Sequence, residues 1–322
     1  MIKVINIIIY IKGVDKVKLF KTFILSFIVV IMCYSCLVFC DEPLNLTPSG
    51  EVVGISFELK HPYVQQKLST DARTLQVEDI ILSIKYDNKK ATNIEQIYDI
   101  MKLTNETITV EFIHEGKVKV KNITTEELRM YKFEDTMYGI GTITAIDKKG
   151  KFVGVAHSIE LNKSDIEIKK GYIHEVSYIQ EIKSNKGKVG NLVTSLTGKV
   201  VGKITDINDY GIKGKYNKFN YKKKECIKVE NPKKGTAYIL CKAPVTNELK
   251  FHEIEIKNIG KNESEIVILD KELIKYRGGG VRGMSGSPII QDNKLVGGFC
   301  SVFKKEPTKG YITNISKMLT GN

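Results

Sequence analysis

The sequence predicts a mainly β protein in three parts, and three observations support this. An uncharged apolar segment lies near the N-terminus, at residues 22–40. A unit that mixes strands with a helix follows at residues 45–122, and short strands separated by turn residues fill residues 123–322. The hydrophobic content of 42% and the charged content of 27% are typical of a globular protein with a sizeable core.

The first part is a candidate transmembrane helix at residues 22–40, which follows a basic stretch at residues 1–21. A segment of this length can just cross a hydrocarbon core of about 30 Å. Five lysines against one aspartate in residues 1–21 favour a cytoplasmic N-terminus and export of residues 41–322. A cleaved signal peptide and a buried core helix are the alternatives. Because residues 36–40 offer no clear small-residue cleavage site, the sequence favours an anchor.

The second part, residues 45–122, is predicted to be a compact α+β domain. Asn93 suits the N-cap of an amphipathic helix over residues 94–103, where apolar residues recur at helical spacing. Alternating or continuous apolar runs predict its strands, at residues 52–59, 79–84, 107–112 and 117–120.

The order of these elements resembles a PDZ domain, which binds the end of an extended peptide. The resemblance implies a carboxylate-binding loop formed by Gly54, Ile55, Ser56 and Phe57. In such a loop, successive backbone N–H groups form a nest for an anion, beside a groove that accepts a strand. Glu78 stands where PDZ domains usually have glycine. We expect this departure to weaken peptide binding before it disturbs the fold.

The third part, residues 123–322, is predicted to be all β. Residues 139–146 and 152–157 form two short strands around a turn, and further strands follow at spacings near ten, at residues 199–205 and 236–241. This pattern fits a barrel or a sandwich and not alternating strands and helices.

A candidate nucleophile lies in the hexapeptide GMSGSP, residues 283–288, which leads into an apolar hairpin. Gly283 lets the backbone turn so that its N–H and that of Ser285 can converge on one point, as an oxyanion hole requires. The nucleophile elbow of α/β-hydrolases is excluded because Ser287 replaces its second glycine and no helix follows. A plain turn before a hairpin is the alternative interpretation.

A serine nucleophile needs a base, and the chain has five histidines to supply one. His157 ends an apolar strand directly after a small residue, so its ring can project into a cleft. The other four lie among charged residues or in the α+β unit: His61, His114, His174 and His252. A purely structural role for His157 remains open on this evidence.

Two motifs, YGIGTITAID…FVGVAHSI and GGVRGMSGSPIIQDNKLVGGFCSVFKKEPTKGYITNISKML, resemble the stage IV sporulation protein B peptidase family. The resemblance implies a chymotrypsin-like β-barrel serine endopeptidase with a His-Asp-Ser triad. It assigns the nucleophile to Ser285, the base to His157 and the orienting acid to Asp270, although Ala156 stands where the family usually has glycine. From the residues alone, Asp165 and Asp206 compete with Asp270.

The same resemblance implies a role in signalling during sporulation. Such a peptidase cuts the extracytoplasmic part of a membrane regulator, which triggers the intramembrane activation of a sigma factor. It acts across the cytoplasmic membrane, in the space between the forespore and mother-cell membranes, and it can cleave itself. A catalytically inert scaffold at the membrane is the alternative function.

Charge and cysteine usage argue against several other classes. The net charge is +13, and without residues 1–40 it is +9. Much of this excess lies in residues 213–234 without a groove-reading motif, so we expect a solvated or membrane-facing loop and no nucleic-acid partner. The spacing of the three exported cysteines indicates neither zinc nor a disulfide framework, although a Cys226–Cys241 bridge remains conceivable. No metal or other cofactor is expected.

Overall fold

The computed structural model describes residues 44–157, 160–217 and 225–321. The predicted basic stretch and apolar segment, residues 1–40, lie outside the described residues, as does the lysine run at residues 221–224. Within the described residues, no helix combines the length and the apolar character needed to span a membrane.

The described residues form twenty strands and four helices, numbered in chain order. The elements up to residue 155 are β1 (Asn45–Lys67), β2 (Ile80–Tyr86), β3 (Lys89–Ala91), α1 (Ile94–Met101), β4 (Thr107–His114), β5 (Lys117–Thr124), α2 (Thr125–Leu128), β6 (Tyr131–Ile146) and β7 (Lys151–Val155). The elements after residue 159 are β8 (Glu160–Leu161), β9 (Ser164–Asp165), β10 (Ile168–Ile182), β11 (Gly190–Ile207), β12 (Gly211–Tyr216), β13 (Ile227–Lys228), β14 (Gly235–Lys242), β15 (Leu249–Ile259), β16 (Glu263–Ile268), α3 (Lys271–Arg277), β17 (Val281–Arg282), β18 (Pro288–Gln291), β19 (Lys294–Phe303), β20 (Glu306–Asn314) and α4 (Ile315–Thr320).

Six antiparallel strands close into a first ring, which we call barrel 1. Their order is β1-β6-β7-β12-β11-β10, and β10 pairs back onto β1. Because successive residues of a strand point to opposite faces, each strand contributes alternate apolar side chains to the interior. These include Val53, Phe57, Ile143, Ile173 and Ile212.

Six later strands close into a second ring, barrel 2, in the order β14-β15-β16-β20-β19-β18. Isoleucines dominate its core, among them Ile239, Ile254, Ile266 and Ile289. A separate apolar cluster is shared by both barrels and by α4, with Val155 from barrel 1, Leu295 from barrel 2 and Met318 from α4. The predicted mainly β class with a β-barrel is therefore confirmed.

A smaller unit is inserted between β1 and β6. It comprises β2 to β5 with α1 and α2, and it has its own core, which includes Leu75, Ile84, Ile97 and Phe133. The predicted N-cap is present, because the Asn93 side chain accepts a hydrogen bond from the Gln96 N–H at 2.9 Å. The PDZ-like identity of this unit stays a prediction.

The predicted carboxylate-binding loop needs correction. Residues 54–57 (Gly54, Ile55, Ser56 and Phe57) lie in the middle of β1, which pairs with β6 on one side and β10 on the other. Gly54, for example, lies opposite Ile140 and His174. The alternating apolar pattern was correctly interpreted as a strand, but this strand has no free edge to offer a peptide. Residues 45–59, which the sequence placed in the α+β domain, belong to barrel 1.

Candidate active site

The hexapeptide GMSGSP forms a tight turn between β17 and β18. Gly283 and Gly286 have φ values of +93° and +94°, a backbone conformation that residues with a Cβ rarely adopt. A Cβ at Gly286 would also lie 1.8 Å from the carbonyl oxygen of Thr142. The sequence folds into this turn because both positions are glycine, and the turn presents Ser285 toward barrel 1.

Strand β6 of barrel 1 holds the carbonyl groups of this turn. The Thr142 hydroxyl donates to the Gly283 carbonyl at 2.8 Å, and the Thr142 N–H donates to the Ser285 carbonyl at 2.7 Å. The Thr144 hydroxyl donates to the Gly286 carbonyl at 2.6 Å. Because these hydrogen bonds are buried, the orientation of each peptide unit in the turn is fixed by the opposite barrel. No motif in the sequence indicates this role for the two threonines.

The structure brings His157 and Ser285 together across the two barrels. His157 follows the end of β7, and its Nε2 lies 2.9 Å from Ser285 Oγ. The Ser285 hydroxyl also donates to the Cys300 carbonyl at 2.7 Å, so its proton has two acceptors within reach when Nε2 is unprotonated. Ser287 is only 1% exposed, which leaves Ser285 as the accessible serine of the turn.

The surroundings of His157 favour a neutral imidazole. Burial against the barrels lowers the pKa of His157, and the negative charge of Glu263 partly opposes this shift. A neutral Nε2 can accept a proton from Ser285, which is what a general base must do.

One of the two predicted oxyanion-hole donors is free within the described residues. Within residues 44–157, 160–217 and 225–321, no hydrogen bond uses the backbone N–H of Ser285. Gly283 directly follows β17, which pairs in parallel with β11. The carbonyls of both residues are held by Thr142 instead. The unused N–H of Ser285 lies in a fixed turn, where it can stabilise an oxyanion, and the contribution of Gly283 to this hole stays a prediction.

The structure places Asp270 away from His157, and the predicted orienting role needs correction. Asp270 is the N-cap of α3, where its Oδ1 accepts from the Leu273 N–H at 2.8 Å. The same oxygen lies 3.1 Å from Nδ1 of the buried His252. Asp270 is therefore close to the serine turn in the sequence but does not contact His157.

The acid whose charge acts on His157 is Glu263, which was not among the candidates predicted from sequence. Glu263 begins β16 and Asp270 follows its end, so at about 3.3 Å per residue the two lie on the order of 20 Å apart. Glu263 Oε1 accepts from the Cys300 thiol at 3.4 Å, next to the carbonyl that binds Ser285. No local motif marks Glu263, because strand pairing alone brings it to this end of barrel 2.

The other two candidate acids are also accounted for. Asp206 lies in β11, with Lys213 3.3 Å away, and Asp165 lies in the short strand β9. Neither has a hydrogen bond or ion pair with His157 within the described parts of the chain.

The segment after His157 is fastened to the inserted unit, and we call this set of contacts the tether. The fully buried carboxylate of Asp79 has His114 Nδ1 at 2.7 Å and accepts from Asn162 Nδ2 at 3.2 Å. The Asn162 N–H donates to Glu78 at 3.0 Å, and the Ser164 hydroxyl accepts from the Gly116 N–H at 2.9 Å. The hairpin β8–β9, a few residues from His157, is thus held by polar groups of the inserted unit.

One cluster has the residue types of a metal site. His252, Asp270 and Glu272 bring their ligand atoms within 4.8 Å of one another. Lys250 Nζ lies 2.6 Å from the Glu272 carboxylate, so a cation of the protein already faces this cluster. Cys226, Cys241 and Cys300 are free, so the conceivable Cys226–Cys241 bridge is not formed.

Comparison with known families gives one match. The family model described as SpoIVB peptidase S55 matches residues 125–319. This range contains both barrels except β1, and it includes His157 and Ser285. The inserted unit up to β5 lies outside it. No curated protein matches the chain.

Several solved structures are similar to this chain at low identity. The active form of the Rv3671c protease from M. tuberculosis is 11% identical with a TM-score of 0.33, covering 57% of this chain and 72% of that one. A serine endoprotease from Yersinia pestis is 10% identical with a TM-score of 0.32, covering 55% and 54%. The thermostable serine protease AL20 from an extremophilic microorganism is 8% identical with a TM-score of 0.34, covering 55% and 85%.

Proposed function

The chain belongs to the SpoIVB peptidase S55 family of serine peptidases, and on this premise we propose that Ser285 is its nucleophile and His157 its general base. The observation that carries the proposal is the 2.9 Å approach of His157 Nε2 to Ser285 Oγ, in a turn that β6 holds from the opposite barrel. We propose an endopeptidase that works with this pair and with Glu263 as the acid whose charge acts on His157.

The geometry supports the following mechanism. His157 Nε2 takes the proton of Ser285 as Oγ attacks the scissile carbonyl carbon. The N–H groups of Gly283 and Ser285 bind the oxyanion that forms. The protonated His157 then gives its proton to the leaving amine, and the acyl group stays on Ser285. Water, deprotonated by His157, releases the acid and restores the hydroxyl.

Active-site labelling tests this proposal and separates it from an inert scaffold. We expect a fluorophosphonate to label the full-length wild-type chain at one site, and we expect no label on Ser285→Ala. Ser287→Ala is the matched control, since this neighbouring serine is buried, and it should still be labelled. An unlabelled wild-type chain of normal fold would support the scaffold.

We also propose where the peptidase acts and on what. The uncharged segment at residues 22–40, with its lysine-rich flank, supports an enzyme anchored in or exported across the cytoplasmic membrane. The family supports a sporulation role, with a substrate in the extracytoplasmic part of a membrane regulator, in the space between the forespore and mother-cell membranes. Incubating that part of a sigma-factor regulator with wild-type enzyme should give defined fragments. Equal fragments from Ser285→Ala would contradict this.

Self-cleavage is part of the proposal. A cut between the apolar segment and the described unit, which begins near Asn45, would release the enzyme from a membrane. Intact mass spectrometry of full-length wild-type and Ser285→Ala chains tests this directly. We expect a shortened species only from the wild-type chain. The same species from both chains would indicate another protease.

A further inference from the structure

A groove opens beside the serine turn, on the side of Gly283. Tyr138 and Leu196 contribute apolar surface to its lining, and Arg282, the residue before Gly283 in the chain, also lines it. Tyr138 and Leu196 are 65% and 36% exposed, so the groove is open to solvent. Because Gly283 supplies one N–H of the proposed oxyanion hole, a side chain close to the scissile bond would enter this groove.

Arg282 is a cation without a partner. The chain has four arginines, and three of them lie within 4 Å of carboxylates, namely Arg73, Arg129 and Arg277. Arg282 is exposed, and its guanidinium has no hydrogen bond and no ion pair with any of the described residues. None of the residues lining the groove is acidic. The guanidinium is therefore available to a ligand that carries a negative charge.

The lining of the groove also includes a polar atom that has no partner among the described residues. Thr194 lines the groove, and its buried Oγ1 has no hydrogen-bond partner among the described residues. A buried hydroxyl without a partner is costly, so a ligand that accepts its proton gains from binding there. Asn191, on the same strand β11, adds an amide that can donate as well.

From these observations we infer that the groove binds an acidic side chain of the substrate, at a position close to the scissile bond. A carboxylate accepts two parallel hydrogen bonds from a guanidinium, and it can accept a further one from Thr194 or Asn191. The methylene groups of a glutamate would pack between Tyr138 and Leu196. This inference rests on the proposed function, because it needs a peptide bound at Ser285.

Peptide cleavage tests the inference. We would compare kcat/KM for peptides that carry Glu, Gln or Lys at each of the three positions on either side of the cleaved bond. The wild-type chain should prefer Glu over Gln by about tenfold at one position, the scale of one charge-assisted contact. Arg282→Gln should abolish this preference, and Arg282→Glu should turn it toward Lys. Lys117→Gln, which removes an exposed cation of the inserted unit, should leave the preference unchanged.

A binding measurement keeps the inference testable without turnover. Fluorescence anisotropy would give the Kd of the Glu and Gln peptides for Ser285→Ala and for Ser285→Ala with Arg282→Gln. Tighter binding of the Glu peptide that is lost with Arg282 supports the inference. A chain that labels with fluorophosphonate but shows no Glu preference, or keeps it in Arg282→Gln, overturns the inference alone. A correctly folded chain that does not label overturns the proposed function.

Discussion

Barrel 1 supplies the histidine and barrel 2 the serine, and the two barrels hold these residues in different ways. Ser285 sits in a turn whose carbonyls are fixed by buried hydrogen bonds from Thr142 and Thr144. His157 begins a segment that depends on the tether to the inserted unit. The proposed nucleophile is therefore fixed by the junction of the barrels, whereas the proposed base is open to influence from outside them.

Replacing either Ser285 or His157 should have the largest effect on peptidase activity. Ser285→Ala and His157→Ala should each lower kcat/KM by several orders of magnitude, and the double variant should be no worse than the single ones, because the two residues act as one unit. Steady-state kinetics on a cleaved peptide gives these values. Additive losses would mean that the two barrels contribute independently.

Thr142→Val tests whether the hydrogen bond from Thr142 positions the turn that carries Ser285. Losing the hydroxyl frees the Gly283 carbonyl, and a small displacement of the turn should lower kcat by about 10- to 100-fold. Thr142→Ser keeps the hydroxyl and should recover most of the rate. If Thr142→Val and Thr142→Ser behave alike, the hydrogen bond does not position the turn.

Asn162→Ala tests whether the tether to the inserted unit positions His157. It removes the contacts to Asp79 while leaving the barrels unchanged, so kcat should fall by only a few-fold. Asn122→Ala removes an exposed hydrogen bond elsewhere in the inserted unit and serves as the control. Equal rates for the wild-type chain and Asn162→Ala would show that the tether does not reach His157.

Substitutions at Asp270 test whether its role is structural or catalytic. Asp270→Asn keeps an N-cap and should stay within a few-fold of the wild-type kcat, while Asp270→Ala should lose about 1 kcal/mol of stability through the lost cap. Thermal unfolding and kinetics of both variants provide the measurement. A loss of about 10⁴-fold in Asp270→Asn would restore the acid predicted from sequence.

The smallest effect concerns the pH profile. Because burial lowers the pKa of His157, the base stays neutral and active below the usual histidine value of 6.5. Glu263 raises this pKa, so Glu263→Gln should move the acid limb of kcat/KM to still lower pH. Glu265→Gln, on the same strand, is the control. A limb that moves upward in Glu263→Gln would contradict the assigned direction.

The sequence predicted the parts of the site that depend on local chemistry. Ser285 was identifiable because a turn with two positive φ angles requires glycines on either side of it. His157 is a candidate from sequence because a strand of small and apolar residues ends there, although its assignment as the base comes from the family resemblance. Both predictions needed no knowledge of which strands pair.

The sequence failed where distant strands decide the outcome. Thr142 and Gly283 are 141 residues apart in the chain, and no pattern within either segment announces their contact. Asp270 is near Ser285 in sequence, but β16 separates it from the end of barrel 2 that faces His157. Gly54 has the alternating surroundings of any strand, and only the partners on both sides distinguish a barrel strand from a binding edge.

The long strand β1 also has a consequence for folding. Barrel 2 closes largely through neighbouring hairpins, whereas β1 pairs Gly54 with Ile140 and His174, far along the chain. Closing such long loops costs entropy before any contact compensates for it, so barrel 1 should close late. His157 and Ser285 would then meet only when the whole unit is complete, and an unfinished chain would have no peptidase activity.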